Sequence, residues 1–128
     1  MRPVGLINGL LCSIISGILM EIVAGVIELK PNSLALVDEW AKTISERIDE
    51  AVATLKDEGV QLESWFHLSL DGKDYLLSYM RANSIEKAHD AAKHSKHDID
   101  AFHQQFKKDA WGVGTRAKLL VDLVGTET

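Results

Sequence analysis

The chain has 128 residues, of which 46% are hydrophobic and 26% charged, and its formal net charge is −5. These values are ordinary for one soluble globular domain, and they exclude a disordered chain. The acidic balance argues against a nucleic-acid-binding surface, which is normally basic. The single cysteine, Cys12, excludes an internal disulfide framework and a CxxC redox pair, and it suits a reducing compartment. We therefore expect a cytoplasmic protein with no nucleic-acid partner.

Residues 1–19 differ from the rest of the chain. A run of sixteen residues without a charge, from Val4 to Leu19, follows a lone Arg2. It is shorter than the about 20 apolar residues of a transmembrane helix. Three interpretations stay open: an over-extended reading frame with Met20 as the natural start, a signal or membrane anchor that exports the protein, or an integral helix. We divide the chain into this leader, one domain at residues 20–125 and a tail at 126–128.

From Met20 onward, the pattern alternates between strands and helices. Ile22 to Leu29 is rich in β-branched residues and precedes turn-forming residues, so it predicts a strand. Ser33 is suited to cap a helix, because its hydroxyl can accept a backbone N–H. Apolar residues then recur at spacings of three and four as far as Gly59, which predicts one long helix that ends at this glycine.

A hairpin is expected next. Val60 to Leu70 alternates strictly, which predicts a strand with an apolar face and a second face of mixed chemistry. The second face carries Glu63, Trp65 and His67. Asp71-Gly72 fits a tight turn, because both residue types tolerate positive φ. Tyr75 to Arg81 predicts the returning strand.

The remaining chain predicts two helices and a last strand. Asn83, with Glu86 three residues later, predicts a capped helix through about His94. Asp98 predicts the start of a helix through about Ala110, Gly112 and Gly114 are expected to break it, and Ala117 to Val124 predicts a strand. The order β-α-β-β-α(α)-β is typical of an α+β, ferredoxin-like antiparallel sheet with its helices on one face.

The other face of such a sheet has no helix to cover it. Large exposed apolar patches mark interaction sites. We therefore expect a homodimer in which two sheets close into a barrel around a ligand cavity. Which face of the strand at Val60–Leu70 points inward is left open, because the register cannot be read from one sequence.

Four stretches resemble a family of small bacterial proteins known as a domain of unknown function. They read LKPNSLALVDEW, LKDEGVQLESWFHL, DYLLSYMRANSIEKA and SKHDIDAFHQQFKKDAW. The family is distantly similar in layout to the dimeric α+β barrel superfamily, which includes antibiotic-biosynthesis-type monooxygenases and rhamnose mutarotase. The resemblance implies the fold and the dimer; activity does not follow from a fold.

A histidine cluster gives the candidate catalytic residues, which are His97, Asp100 and His103. Asp100 and His103 are three residues apart on one helix, so a carboxylate could orient an imidazole that acts as a general base. The alternative is that the acidic residues only favour the helix N-terminus and that the histidines are solvated. The spacings of His89, His94, His97 and His103 do not match the four-residue spacing of paired helical ligands, so we predict no metal.

A second set gives the candidate ligand-binding residues. Glu63, Trp65 and His67 share one face of their strand, and Tyr79 and Arg81 on the returning strand could join them, with Arg81 clamping a carboxylate or phosphate. The alternative is that Glu63 and His67 are solvated edge residues.

We thus expect a homodimeric α+β barrel that binds a small organic ligand. It could be an acid–base enzyme of monooxygenase or mutarotase type, without a cofactor. The alternative is a non-catalytic module that serves dimerisation.

Overall fold

The fold is taken from a computed structural model that describes residues 4–7, 10–15 and 18–125. Six strands and four helices follow one another along the chain. They are β1 (Val4–Ile7), β2 (Leu10–Ile15), β3 (Ile18–Leu29), α1 (Leu34–Glu46), α2 (Ile48–Glu58), β4 (Val60–Leu70), β5 (Lys73–Ala82), α3 (Ile85–Lys93), α4 (Asp98–Ala110) and β6 (Trp111–Arg116). None of these helices is long and apolar enough to cross a membrane. The predicted tail at residues 126–128 lies outside the described ranges.

Four strands form the sheet predicted from the sequence. Neighbouring strands are antiparallel in the order β4-β5-β3-β6, which is the ferredoxin-like 2-3-1-4 order when counting begins at β3. The α+β fold class is therefore confirmed, with the pattern β-α-α-β-β-α-α-β. β1 and β2 extend the sheet beyond the N-terminal part of β3. β3 begins at Ile18, before the predicted Ile22, and the domain boundary predicted after residue 19 stays a prediction.

The long helix predicted between Ser33 and Gly59 is two helices. Arg47 separates α1 from α2 with a non-helical backbone (φ −113°, ψ 38°). The break lets α1 pack against α4 while α2 packs against α3 and β4. Arg47 is a good helix former, so the sequence carries no signal for this break. Gly59 ends α2 in the left-handed conformation (φ 71°), as predicted.

The helix caps also differ from the prediction. The Ser33 hydroxyl donates a hydrogen bond to the carbonyl of Lys30 and does not cap α1. The cap of α3 is Ser84, whose Oγ accepts from Lys87 N at 3.1 Å, so the prediction of Asn83 was one residue early. A carboxylate from β3 supplies a second cap, because Glu21 Oε1 accepts from Ile85 N at 2.7 Å.

Strict alternation along β4 is broken near its start. The register shifts between Val60 and Leu62, so Gln61 forms a β-bulge. Val60 is 6% exposed and packs towards α3, whereas Leu62 is 54% exposed on the opposite face. The prediction that Val60 and Leu62 share a face is therefore wrong. The Asp71-Gly72 turn is confirmed, with φ of 51° and 76°.

The last strand lies earlier than predicted. β6 covers Trp111–Arg116, and the chain from 117 to 124 has no regular secondary structure. The helix does end at Ala110, as predicted, but Gly112 and Gly114 belong to β6 and do not separate the helix from a later strand. Gly112 allows the close approach of β6 to β3, since a Cβ there would lie 2.9 Å from the Glu28 carbonyl oxygen.

The core lies between the sheet and the helices, in two clusters. One contains Ile27, Leu29, Val37, Trp40, Leu76, Phe106 and Ala110, and the other contains Val60, Ala82, Ile85 and Ala88. The opposite face of β4 exposes an apolar row of Leu62, Phe66, Leu68 and Leu70. The structure therefore resolves the open question of register, because Glu63 and Trp65 point to the helices.

The contact of Gly112 with β3 makes a testable prediction. Gly112→Ala places a methyl group against backbone that cannot move without shifting β3, so we expect a loss of about 1–3 kcal/mol in the free energy of unfolding. Gly114→Ala in the same strand is the control, because its Cβ would lie 3.7 Å from Ile27 Cγ1, which is ordinary contact. Urea denaturation measures both variants. Equal stabilities of the two variants would contradict the close approach.

Candidate functional site

A cavity of about 530 Å³ lies between the sheet and the helices. Residues of β3, β4, β5 and β6 form one wall, and residues from all four helices form the other. The acidic, basic and histidine side chains among them are Glu58, Glu63, His89, Lys93, Asp100, His103, Lys107 and Arg116. Such a concave space, with an aromatic lining and a few polar groups, is the usual form of a small-molecule site.

The three tryptophans of the chain meet beside this cavity. Trp40 stacks on Phe106, with ring centroids 4.7 Å apart and an interplanar angle of 7°. Trp65 meets Trp40 edge-on at 5.5 Å and lies 5.7 Å from Trp111. The His103 ring is 5.8 Å from that of Trp40 and 5.7 Å from that of Trp65. α1, β4, α4 and β6 thus each contribute a ring to one aromatic cluster.

A hydrogen bond fixes the His103 ring within this cluster. Trp40 Nε1 donates to His103 Nδ1 at 3.0 Å. An acceptor at Nδ1 places the proton of the neutral ring on Nε2, so Nε2–H is the donor that the ring offers. Burial, together with the positive charge of Lys107, lowers the pKa of His103 to about 4. His103 is therefore neutral at physiological pH.

A second indole holds a carboxyl group. Trp65 Nε1 donates to Glu63 Oε1 at 2.8 Å. Burial raises the pKa of Glu63 above its ordinary value, although the Trp65 hydrogen bond and the charge of Lys107 act in the opposite direction. Glu63 is consequently a carboxyl group of fixed orientation that holds its proton more strongly than an exposed glutamate.

Glu58, at the end of α2, completes the ionisable wall. Burial and the negative charges of Asp100 and Glu63 raise the pKa of Glu58 to about 7. Lys107 Nζ lies 4.8 Å from the centroid of the Trp111 ring, and burial lowers the pKa of this lysine. At neutral pH, Glu58 is thus close to half-protonated, which suits a group that both gives and takes a proton.

The structure places two of the predicted catalytic residues, Asp100 and His103, at the main cavity and the third, His97, outside it. Asp100 accepts a hydrogen bond from the Ser95 hydroxyl, and His103 is oriented by Trp40. The predicted orientation of His103 by Asp100 is not the arrangement found, because the Trp40 indole occupies His103 Nδ1. His97 binds Asp57 Oδ2 at 2.9 Å in a neighbouring cavity, which Glu58 and Asp100 also line. The hydrogen bond to Asp57 raises the pKa of His97.

The predicted ligand-binding residues lie on two faces of the sheet. Glu63 and Trp65 line the cavity, whereas His67 lies further along the same face and bonds Asp74 Oδ1 at 2.9 Å. Tyr79 and Arg81 pair with Ser64 and Leu62, and so project from the opposite face, although Tyr79 also borders the cavity.

Arg81 already has partners on that face. It donates to the Tyr79 hydroxyl and forms an ion pair with Asp122. The role predicted for Arg81, as a clamp beside Glu63, is thus not the arrangement found. Among the described residues, no group of three His, Cys, Asp or Glu side chains is placed to hold a metal ion.

Sequence reasoning missed several lining residues. Glu58 and Lys107 belong to polar helix positions that look solvated in the sequence, and the exposed His89 was not predicted to border a cavity. The Trp40 role had a detectable signal: an indole among the residues of a buried helix stripe needs a hydrogen-bond acceptor. Nothing local to α2 indicates that its last turn meets α4.

The Trp40–His103 bond makes a testable prediction. Trp40→Phe keeps a ring against Phe106 but removes the N–H that occupies Nδ1 of neutral His103. We expect the pKa of His103 to rise from about 4 towards its ordinary value of 6.5. Imidazole NMR resonances measure the change, and titration of His103 near 6.5 in the unsubstituted protein would contradict the burial.

The free energy of unfolding should depend on pH through the titration of His103. The unfolded chain takes up a proton at His103 near pH 6.5 and the folded chain only near pH 4. Acidification through this window therefore costs about 3 kcal/mol at this residue. The raised pKa values of Glu58 and Glu63 act in the opposite direction. The contribution of His103 is therefore measured as the difference in free energy of unfolding, over this pH range, between the unsubstituted protein and His103→Phe.

Comparison with known proteins identifies the family. The model of DUF6176, described as a family of unknown function, matches residues 20–127. Neither the curated proteins nor the solved structures that were searched gave a match. The matched range contains all the cavity-lining residues and reaches from near the start of β3 to beyond β6. The chain therefore belongs to DUF6176, a family of unknown function.

Proposed function

We propose that the chain binds a small organic ligand in the cavity between sheet and helices and exchanges a proton with it. The observation that carries this proposal is the cavity itself, at about 530 Å³. Sites for small molecules commonly have volumes of roughly 300–1,000 Å³. Its aromatic lining offers flat surfaces to a ring or chain, and the Nε2–H of His103 offers a hydrogen bond to an acceptor atom.

Glu58 is the acid–base group in this proposal. Its pKa of about 7 lets it lend or accept a proton near neutral pH, which is the condition for efficient general acid–base catalysis. His103 has a pKa of about 4, so it acts as a neutral donor that orients the ligand. Glu58 therefore replaces His103 as the proposed base. Proton transfer of this kind requires no prosthetic group.

Filling the cavity tests the binding site. Ala92→Trp adds a large side chain at a lining position of α3, so it should abolish binding of small aromatic fragments detected by ligand-observed NMR. Ala101→Trp is the matched control, because Ala101 is exposed on α4 and does not line the cavity. Fragments that bind both variants equally, or that fail to bind the unsubstituted protein, would refute the site.

Calorimetry with a fragment that binds tests the exchange of a proton. In two buffers of different ionisation enthalpy, the unsubstituted protein should take up or release part of a proton at pH 7. Glu58→Gln should bind with no such exchange at this residue. A proton exchange that is unchanged in Glu58→Gln would remove Glu58 from the proposal and leave the cavity as a binding site.

The exposed row on β4 supports a second proposal, which is homodimerisation through the open sheet face. Leu62, Phe66 and Leu70 are 54%, 58% and 54% exposed, and they lie along the same face of β4 as the exposed Leu68. A contiguous apolar row of this kind favours a partner surface. A second copy is the partner proposed here, because an isologous contact matches each apolar row with an identical one.

Light scattering tests the dimer. The unsubstituted chain should have about twice the 14.2 kDa of one copy, and Phe66→Asp should reduce this mass to that of one copy. Ile48→Asp is the matched control, since Ile48 is 59% exposed on α2. A single-copy mass for the unsubstituted chain, or equal masses for the two variants, would exclude this interface.

A further inference from the structure

The rim of the cavity carries positive charge. Five of the lining residues are exposed and mark where the cavity opens, and they are His89, Lys93, Gly114, Thr115 and Arg116. They belong to α3 and β6, so the opening lies between these two elements. Two of the five carry permanent positive charge, and no exposed lining residue in the described ranges is acidic.

The charges at the rim act on one another. Burial and then the positive charges of Lys107, Arg116 and Lys93 lower the pKa of His89. Neither Lys93 nor Arg116 forms an ion pair within the part of the chain that the structure describes. Lys107 lies deeper, and its charge is balanced by Glu58 and Glu63. The uncompensated charge is therefore at the opening.

The interior has the opposite character. Beyond the rim lie the rings of Trp40, Trp65 and Trp111, and the carboxyl groups of Glu58 and Glu63. Asp100 also lines this interior, and Lys107 is the one lysine or arginine beside the three acidic residues. An anionic group placed there would therefore be repelled on balance, whereas an uncharged ring would gain stacking contacts with the indoles. The cavity thus has a positively charged rim and an aromatic interior.

We infer that the ligand is an amphipathic organic carboxylate, with its ring or apolar body among the indoles and its carboxylate at the rim against Lys93 and Arg116. This inference rests on the proposed function, because it assigns the chemical class of ligand to the same cavity. The rim cations attract the carboxylate during entry and hold it in place, and the part of the ligand beside Glu58 is the uncharged end.

Matched ligands test the class. We would titrate benzoate, phenylacetate and 2-naphthoate, each beside its neutral amide, by calorimetry into the full chain. At least one carboxylate should bind more tightly than its amide, and the difference should shrink as salt is raised, because exposed charges are screened. The double variant Lys93→Gln/Arg116→Gln should weaken the carboxylate by about five- to ten-fold and leave the amide unchanged.

The control carries the same change of charge away from the cavity. Lys42→Gln/Lys56→Gln removes two exposed lysines from α1 and α2 and should leave both affinities unchanged. Equal binding of carboxylates and amides would overturn the anionic class and keep the binding site. An equal loss in the control would reduce the effect to net charge and also overturn the rim assignment. No binding of either series would overturn the inference together with the proposed function.

Discussion

The hydrogen bond from Trp40 to His103 joins α1 to α4 at the point where the aromatic cluster meets the cavity. An indole N–H and an imidazole nitrogen are costly to bury alone, and each satisfies the other. The bond fixes the spacing of the two helices above the sheet, and with it the room between them and β3. Burial keeps the His103 ring neutral, and the bond fixes which of its two nitrogens carries the proton. The cavity is therefore a consequence of how two polar groups are satisfied between packed helices.

The same principle operates on the sheet side. Trp65 holds Glu63 as Trp40 holds His103, so two indoles present two ionisable groups to one space. Lys107 balances the carboxyl groups of Glu58 and Glu63 without reaching the rim. Burial and like charge together retain a proton at Glu58, while the positive groups at the opening face water. The cavity thus has a wall, at Glu58 and Glu63, that repels negative charge, and an opening, at Lys93 and Arg116, that attracts it.

Much of the fold could be predicted because the signals are local. The Asp71-Gly72 turn, the left-handed Gly59 and the periodic helices need only neighbouring residues. The errors arise where contacts between distant elements determine the local structure. The bulge at Gln61 and the break at Arg47 follow from packing, and Gly112 lies in a strand because β3 approaches it closely. Half of the site was within reach, since His103, Glu63 and Trp65 were singled out. Glu58 and Lys107 were not, because their burial depends on contacts between α2 and α4 that no spacing along the chain encodes.

The bond between Glu21 and Ile85 has a bearing on how the protein acquires its structure. The two residues are 64 positions apart, and the carboxylate reaches the first amide of α3 only after β3 and β5 have paired. α3 is short, and isolated helices of this length are marginal in water. Its stability therefore depends on the closure of a long loop between Glu21 and Ile85. The wall that carries His89 and Lys93 is consequently anchored to β3 as well as to its own helix.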